Sequence, residues 1–496
     1  MPDRTQPPVA PIDPVESEHH GHRRTDPYAW LRADNWREAM DDPGQLPDAI
    51  RAYLEAENEW AEAATAPGRE LRARLVGELR GRIREDDSSV PRPDGPWAYY
   101  VRYREGGQHP LVCRRPRDSE TGEQVLLDGD AQAAGRAYYQ LGAAAHAPDH
   151  RRLACAFDTT GAERFSLRVR ELDTDAWAPV EIEDAQGDLA WAGDGKHLFY
   201  TILDADHRPR WVRRRNVVTG SDELVFEEGD PGFFVSVDET ESRRFVLIQC
   251  RDPETTEVHW IPADRPEEPP DCLLPRQRGV EYTATDHGDR WVLLTNAGDA
   301  RDFRIVSAPM DDPAPARWSE LVPHRPGVLI DSMLDFRQHL VRLEVTDALP
   351  RIVVRRWADG AEHAIAFDEA AHDLDLVPGH EYDTRQLRFA YSSPATPEQI
   401  HDYDMEQRTR VLRKTEEIPS GHDPAHYRVQ RIEARGADGA AIPVTLLHHR
   451  DVRPGPDTPL LLSAYGAYGI SQLPAFSPHR LSLVNRGFVH AIAHVR

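Results

Sequence analysis

The chain has 496 residues, of which 39% are hydrophobic and 29% are charged, a composition typical of a soluble globular protein with two to four domains. Its 60 Lys and Arg against 85 Asp and Glu give a net charge of −25, which disfavours nucleic acid as a partner and suits a cationic ligand. No apolar run approaches the ~18 residues that a membrane span needs, and residues 1–24 lack the apolar core of a signal peptide. We therefore expect no membrane segment.

The four cysteines, Cys113, Cys155, Cys250 and Cys272, lie far apart in the sequence. No Cys-x-x-Cys pair occurs among them, so the sequence indicates neither a disulfide framework nor a zinc ribbon. This pattern fits a reducing compartment, and we expect a cytoplasmic protein.

The first 84 residues divide into a leader and a helical segment. Residues 1–26 are rich in Pro, Glu and His and predict a polar, mobile leader. Residues 27–84 predict two helices, separated by Pro67-Gly68, each with apolar residues at the spacing of one buried face. The predicted faces are formed by Ile50, Tyr53, Leu54, Trp60, Ala61 and Ala64 in the first helix and by Leu71, Leu75, Leu79 and Ile83 in the second.

Residues 85–416 contain a repeat of short predicted strands. Most repeats follow a turn in which an aspartate and a basic residue lead into an apolar strand, as in Asp194-Gly195-Lys196. A period of ~40–50 residues is typical of a β-propeller, so the pattern predicts seven blades. A long array of β-sandwiches is the alternative. The repeats begin near Pro110, Ser166, Trp211, Glu257, Phe303, Arg351 and Gln399.

The pattern changes after residue 416. Residues 418–424 predict a linker, and residues 427–496 predict the start of an α/β domain with a hairpin turn at Gly436–Gly439. Two continuous apolar runs, Pro459–Tyr465 and Gly487–Val495, predict strands buried on both faces of a parallel-type sheet. The predicted fold is an all-β seven-bladed propeller joined to a partial α/β domain.

Catalytic and metal-binding signatures are mostly absent from the sequence. It contains no Gly-x-Ser-x-Gly, His-Glu-x-x-His, Walker or Gly-x-Gly-x-x-Gly motif. Residues 18–22, Glu-His-His-Gly-His, are interpreted as a solvated tail rather than a metal site. The acidic run Glu85–Asp87 is interpreted as a solvated loop or a helix-terminus feature rather than as a site for a cationic ligand, and His448-His449 as packing residues.

One loop has the features of a functional site. Residues 465–471, Tyr-Gly-Ala-Tyr-Gly-Ile-Ser, follow a predicted buried strand, and ligands gather at the carboxyl ends of strands in open α/β sheets. The hydroxyl of Tyr465 could donate a hydrogen bond to a developing oxyanion. An ordinary glycine-rich turn with two packing aromatic residues is the other interpretation.

Ten short segments of the chain resemble the prolyl oligopeptidase family, and its oligopeptidase B branch most closely. The resemblance extends from about residue 20 to the end. It is carried by residues 26–31, 53–58, 82–91, 104–107, 391–394, 403–405, 461–469, 476–477, 480–483 and 486–496.

This resemblance implies a serine peptidase in which a seven-bladed propeller limits access to an α/β-hydrolase domain. That domain takes helices from the N-terminus, here residues 27–84, and continues in residues 427–496. The oligopeptidase B branch implies cleavage of short, basic peptides after Arg or Lys, without a cofactor. Tyr465 falls at the position of the family's oxyanion-hole tyrosine, and Tyr468 at that of an aromatic residue in the primary specificity pocket.

The family's nucleophilic serine, aspartate and histidine, and the family's acidic residues that recognise the basic side chain, have no counterparts in this sequence. We therefore expect a C-terminally incomplete chain that is inactive alone, because acyl transfer needs all three groups. Two alternatives are a proline-specific oligopeptidase of the same family and a non-catalytic propeller that binds peptides.

Overall fold

The computed structural model describes residues 6–179 and 181–495 and divides into one unit that ends at Gly81 and a second that begins at Arg82. In the first unit, a hairpin replaces the predicted mobile leader: β1 (Val15–His19) pairs with β2 (His22–Asp26). His20 and Gly21 connect the strands with φ values of 53° and 76°, which a tight two-residue turn requires. The histidine cluster therefore lies on a hairpin that is exposed at every position of both strands, as the solvated interpretation requires, whereas the expectation that no strand is present there was wrong.

The two predicted helices of the first unit are present. They are α2 (Asp48–Thr65) and α3 (Arg69–Arg80), preceded by the short α1 (Trp36–Asp41). The predicted burial of their apolar faces is wrong within this unit, because only Ile50 of α2 is buried and α3 buries none of its residues. One hairpin and three helices supply too little apolar surface to cover both faces. Ile83 lies beyond the end of α3 and is exposed.

The second unit contains seven successive groups of four strands, here called blades 1 to 7. Blade 1 is followed by the short helix α4 (Gly129–Ala133). Blades 1 to 4 comprise β3 (Arg92–Asp94), β4 (Trp97–Arg102), β5 (Leu111–Pro116), β6 (Gln124–Asp128); β7 (Gln140–His146), β8 (Arg152–Asp158), β9 (Phe165–Glu171), β10 (Ala176–Trp177); β11 (Ile182–Trp191), β12 (His197–Leu203), β13 (Pro209–Asn216), β14 (Asp222–Glu227); β15 (Phe234–Glu239), β16 (Phe245–Arg251), β17 (Thr256–Pro262) and β18 (Asp271–Leu274). Blades 5 to 7 comprise β19 (Tyr282–His287), β20 (Arg290–Thr295), β21 (Arg304–Pro309), β22 (Ser319–Val322); β23 (Leu329–Asp335), β24 (His339–Thr346), β25 (Leu349–Arg356), β26 (Glu362–Ala364); β27 (Asp373–Val377), β28 (Gln386–Ser392), β29 (Gln399–Asp404) and β30 (Thr409–Thr415).

The predicted repeat marks one strand of every blade. Its seven starting points fall within two residues of the start of the third strands β5, β9, β13, β17, β21, β25 and β29. The aspartate-containing turns lead into second strands, as Asp194 does into β12, where its carboxylate accepts bonds from the backbone N–H groups of Lys196 and His197. The prediction of seven blades is confirmed.

Blades 2 and 3 depart from this pattern because they share one sheet. β11 pairs with β9 through Ile182–Leu167 and Ala185–Phe165. The fourth strand of blade 2, β10, has only two residues, so most of the outer edge of β9 is left open. The ten-residue β11 takes that edge, and the blades are not separate there.

Apolar residues between neighbouring blades form most of the core. Between blades 4 and 5, the indole of Trp291 is fully buried against Phe245 and Trp260, with ring centroids 5.0 and 5.6 Å away. Ion pairs join the first blade to the last, including that between Arg117 and Glu381. No strand pairing joins these two blades in the described part of the chain.

A four-stranded sheet follows the seventh blade. It has the order β31 (Tyr427–Arg435), β32 (Ala441–His449), β34 (Val489–Ala493), β33 (Leu460–Ala464), with the short helix α5 (Leu481–Val484) before β34. The predicted hairpin and the parallel β33–β34 pair are present. Burial of β33 on both faces is wrong within the part of the chain that the structure describes: β33 is the edge strand of this sheet there, and Leu460, Leu461 and Leu462 are 42–59% exposed.

Other sequence features keep local roles. No helix in the described residues has the length and apolar character to cross a membrane. All four cysteines are free thiols, and only Cys272 is exposed. In the acidic run, Glu85 accepts a bond from the backbone N–H of Gly106 at 2.8 Å, and Asp87 binds Lys414, so the run fixes a connecting segment.

Candidate active site

The loop singled out in the sequence begins where the parallel strand β33 ends. Tyr465 follows Ala464 directly, at the carboxyl end of β33, and 48% of its surface is exposed. The adjacent Ala467–Gly469 form one turn of 3-10 helix. The hydroxyl-bearing ring of Tyr465 therefore stands at the edge of the sheet where a ligand can reach it.

Tyr468 has an unusual backbone for a bulky residue. Its φ is 56° and ψ is 30°, in the left-handed region that side chains with a Cβ rarely adopt. The neighbouring Gly469 also has a positive φ of 72°. This double left-handed turn directs the ring of Tyr468 into solvent, where 83% of the residue is exposed. Such strain clusters at functional sites.

The residues after this loop pack against the seventh blade. The backbone N–H of Phe476 donates to Ser392 Oγ of β28 at 3.2 Å, and the ring of Phe476 meets His422 edge-on with centroids 5.2 Å apart. Arg480 donates to the carbonyl of Ala475 at 2.6 Å. These bonds fix the path of the segment between the tyrosine loop and α5.

A cavity of about 320 Å³ lies between this segment and blade 7. It has four carboxylates in its wall, from Asp373 and Asp375 of β27 and from Glu398 and Glu416. Burial and the neighbouring Asp375 raise the pKa of Asp373 to about 6. Burial, with Glu416 nearby, also raises the pKa of Glu398.

Like charges that line one cavity and raise one another's pKa values favour a cation between them. Lys414 opposes the raised pKa values of Glu398 and Glu416, but its Nζ is already bonded to Asp87 and to the carbonyl of Ser88. The cavity is therefore suited to the cationic side chain of a ligand.

Two buried histidines near the loop, His490 and His494, pack within the sheet rather than face a ligand site. His494 is hydrogen bonded at both ring nitrogens, to the carbonyl of Gln472 at 2.6 Å and to Thr445 Oγ1 at 2.8 Å. His490 lies on β34, and burial lowers its pKa to about 4. His448 is also buried, as the packing interpretation requires. These side chains hold the sheet and the loop together.

Sequence reasoning found the two tyrosines but missed the acidic cavity. The tyrosines share one loop, whereas the four carboxylates come from separate segments of residues 373–416 that meet only in the folded blade. The sequence of β27 contained one indication of the cavity. Side chains alternate between the two faces of a strand, so Asp373 and Asp375, which are two residues apart, point to the same face. The assigned roles of Tyr465 and Tyr468 remain predictions.

Comparison with known proteins reveals similarity along almost the whole chain. The family described as prolyl oligopeptidase, N-terminal beta-propeller domain, matches residues 7–416. Dipeptidyl aminopeptidase BI of Pseudoxanthomonas mexicana is 35% identical over 512 residues, which cover 99% of this chain and 69% of that protein. Protease 2 of Moraxella lacunata is 26% identical, with 99% and 70% covered. The structure of oligopeptidase B from Leishmania major matches with a TM-score of 0.90 at 28% identity, covering 99% of this chain and 72% of that one.

Proposed function

Since the chain belongs to the prolyl oligopeptidase family of serine peptidases, we propose that it is the propeller-bearing part of an oligopeptidase that cleaves short peptides after Arg or Lys. The propeller admits only small peptides to the active site. The sheet of β31 to β34 is the beginning of the α/β-hydrolase domain, to which the N-terminal helices also belong. The enzyme works in the cytoplasm.

The acidic cavity is the observation that carries the basic preference. Its four carboxylates lie beside the segment that follows Tyr468. Burial and, after it, repulsion by Asp375 raise the pKa of Asp373, and a guanidinium or ammonium group entering the cavity would offset both effects by stabilising the ionised carboxylate. A proline side chain offers no charge to do so, which favours basic peptides over the proline-specific alternative.

Two tyrosines supply contacts to the reacting peptide in this proposal. Tyr465 donates its hydroxyl proton in a hydrogen bond to the oxyanion of the tetrahedral intermediate, where charge develops in the transition state. Tyr468 stacks its exposed ring on the guanidinium of the cleaved residue, a cation–π contact worth about 0.5–2 kcal/mol. Neither residue can attack the peptide bond in place of a serine.

Residues 1–496 alone are inactive in this proposal. Acyl transfer needs a nucleophile, a base and an orienting carboxylate on adjacent loops. The loop at Tyr465 supplies an oxyanion donor and no such triad in the described residues. About three tenths of the length of the relatives named above lies outside the match. We assign the nucleophilic serine, the aspartate and the histidine to the part of the enzyme that corresponds to this unmatched length of the relatives.

The test of basic preference uses the 496-residue chain and two fluorescent peptides that differ only in Arg or its uncharged analogue citrulline. We expect the Arg peptide to bind at least about tenfold more tightly, a difference of about 1.4 kcal/mol. The double variant Asp373→Asn/Glu398→Gln should abolish the difference, while Asp311→Asn, at an exposed carboxylate of an outer loop, should preserve it. Equal binding of both peptides by the unaltered chain would contradict the proposal.

The test of inactivity is incubation of the same chain with an arginyl amide substrate and with a serine-directed phosphonate. We expect neither hydrolysis nor labelling. Stoichiometric labelling would show that the chain contains its own reactive serine and would overturn this assignment.

A dipeptide-releasing activity is the second candidate. It is favoured by the relative of 35% identity, which is named a dipeptidyl aminopeptidase. Analysis of the products of the complete enzyme separates the two, because an oligopeptidase cuts inside a peptide with a blocked N-terminus and a dipeptidyl aminopeptidase needs a free one. A propeller that only binds peptides would bind the Arg peptide without any cleavage by the complete gene product.

A further inference from the structure

Three side chains able to bind a metal meet near the ends of the first strands of three blades. Asp94 is the last residue of β3 in blade 1, His146 is the last residue of β7 in blade 2, and His380 follows β27 in blade 7. One ligand atom from each lies within 4.8 Å of the other two. This cluster lies in the propeller and is separate from the tyrosine loop.

The cluster is enclosed and its rings are held in place. The side chains of Asp94 and His146 are 9% and 8% exposed, and His146 Nε2 lies 2.7 Å from Asp94 Oδ2. The ring of Tyr99 stacks on His146 with centroids 3.7 Å apart, and the Tyr99 hydroxyl is hydrogen bonded to His150 at 2.9 Å. Tyr99 thus fixes the orientation of His146 before any ligand binds.

His380 completes the group on the other side. Its ring meets His146 edge-on, with centroids 4.8 Å apart at 79°. Its imidazole therefore stands beside His146 and Asp94, with a ligand atom within 4.8 Å of theirs.

We propose that Asp94, His146 and His380 form a binding site for a divalent transition metal ion of the zinc class. Two imidazoles and one carboxylate are a donor set that suits zinc, whereas magnesium and calcium prefer oxygen ligands alone. Three protein ligands leave a fourth, tetrahedral position for water. Zinc bonds of about 2.0–2.2 Å place tetrahedral donor atoms about 3.4 Å apart, so His146 Nε2 and Asp94 Oδ2, which are 2.7 Å apart, would have to separate slightly.

Arg243 is the group that opposes this site. Its Nη1 and Nη2 donate to Asp94 Oδ1 and Oδ2 at 3.2 and 3.0 Å. A carboxylate has about four lone-pair positions, so the ion can replace the His146–Asp94 hydrogen bond while Arg243 remains an outer partner of Asp94. The guanidinium charge weakens the site, and we expect an affinity below that of structural zinc sites.

Metal binding at this site would link blades 1, 2 and 7 through their side chains. The three ligands come from blades 1, 2 and 7, and blades 1 and 7 are joined by side chains rather than by strand pairing in the described residues. An ion that binds only the folded protein stabilises it by mass action. Zinc should therefore raise the temperature of unfolding of the propeller.

The test is titration of the chelator-treated 496-residue chain with zinc chloride, followed by calorimetry and by thermal unfolding. The parent for all measurements carries His19→Ala, His20→Ala and His22→Ala, because those histidines lie on the exposed hairpin. We expect one zinc equivalent and a higher unfolding temperature. Cobalt chloride should give the visible absorption of a four-coordinate ion.

Two variants remove ligands, and one is a matched control. His380→Ala and Asp94→Asn should each weaken zinc binding by more than the roughly 10–100-fold that loss of an outer partner causes; Asp94→Asn retains the shape of the side chain. Cys272→Ser should retain binding, since it alters the other cluster of three ligating side chains, Glu257, His259 and Cys272. Absence of a zinc equivalent in the parent, or its retention in both ligand variants, would overturn the proposal.

Discussion

Arg388 and Asp402 lie directly opposite each other on β28 and β29 and are joined by two parallel hydrogen bonds of 2.7 and 3.0 Å. Both side chains are nearly buried, at 12% and 10% exposure. The remaining guanidinium nitrogen donates to the carbonyls of Val90 and Pro91, just before blade 1. One arginine thus ties the last blade to the start of the first.

Replacing Arg388 should weaken the contact between the last blade and the segment that leads into the first. We expect Arg388→Gln to destabilise the chain by about 3 kcal/mol, at the low end for a broken buried pair, because Arg413 lies 3.5 Å from Asp402 and offsets part of its charge. The measurement is the midpoint of urea unfolding. Arg337→Gln is the matched control, since the Arg337–Asp383 pair is 66% and 63% exposed and should contribute within about 0.5 kcal/mol. Equal effects of both variants would contradict this role.

Trp291 should tolerate loss of its indole nitrogen better than loss of its ring. The buried indole N–H finds no hydrogen-bond partner among the described residues, so Trp291→Phe removes an unsatisfied donor together with part of the ring. We expect Trp291→Ala to cost about 3–5 kcal/mol through the cavity it leaves and Trp291→Phe to cost clearly less. Thermal unfolding of both variants checks the order, and a Phe variant as unstable as the Ala variant would refute it.

His490 should make the C-terminal sheet sensitive to acid. Its pKa of about 4 in the folded chain lies below the 6.5 of an exposed histidine, so its contribution is full above pH 6.5 and is lost as pH falls towards 4. A shift of this size corresponds to about 3 kcal/mol. We expect His490→Gln to flatten the fall in unfolding midpoint between pH 7 and pH 4. An unchanged pH profile would exclude His490 as the cause.

The cavity carboxylates should titrate in the opposite direction. The raised pKa of Asp373, about 6, means that its stabilising contribution is present below its ordinary pKa and is lost as pH rises through 6. Binding of a cationic peptide gains over the same interval, because the ionised carboxylate is the form that attracts it. We expect the preference for the Arg peptide over the citrulline peptide to grow between pH 5 and pH 7.5. A pH-independent preference would place the cationic side chain elsewhere.

The complete enzyme tests the two tyrosines separately. Tyr465→Phe should lower kcat by about 10²–10³-fold with little change in KM, as loss of an oxyanion donor does. Tyr468→Ala should instead raise KM for substrates with Arg by about 2- to 30-fold, the equivalent of a cation–π contact, while Tyr468→Phe keeps the ring and should behave like the parent. Steady-state kinetics distinguish the two patterns.

Local patterns in the sequence were sufficient to predict the repeat architecture. Each blade's third strand, from β5 to β29, is preceded or followed by turn residues at a regular interval, and short-range rules of alternation and turn chemistry act within one hairpin. The same rules located α2, α3 and the tyrosine loop. They also located the hairpin of β31 and β32, because its turn glycines lie between two strands of adjacent sequence.

The tertiary structure decided what depends on distant residues. Whether β33 is buried, whether β11 joins β9, and whether α3 has a covered face are set by which edges and faces remain available after folding, and no local period encodes that. The same holds for Asp94, His146 and His380, which are separated by up to 286 residues in sequence and share one site only because the ring brings blades 1, 2 and 7 together. Periodicity determined the elements, whereas the closure of the ring determined which charged and ligating side chains meet.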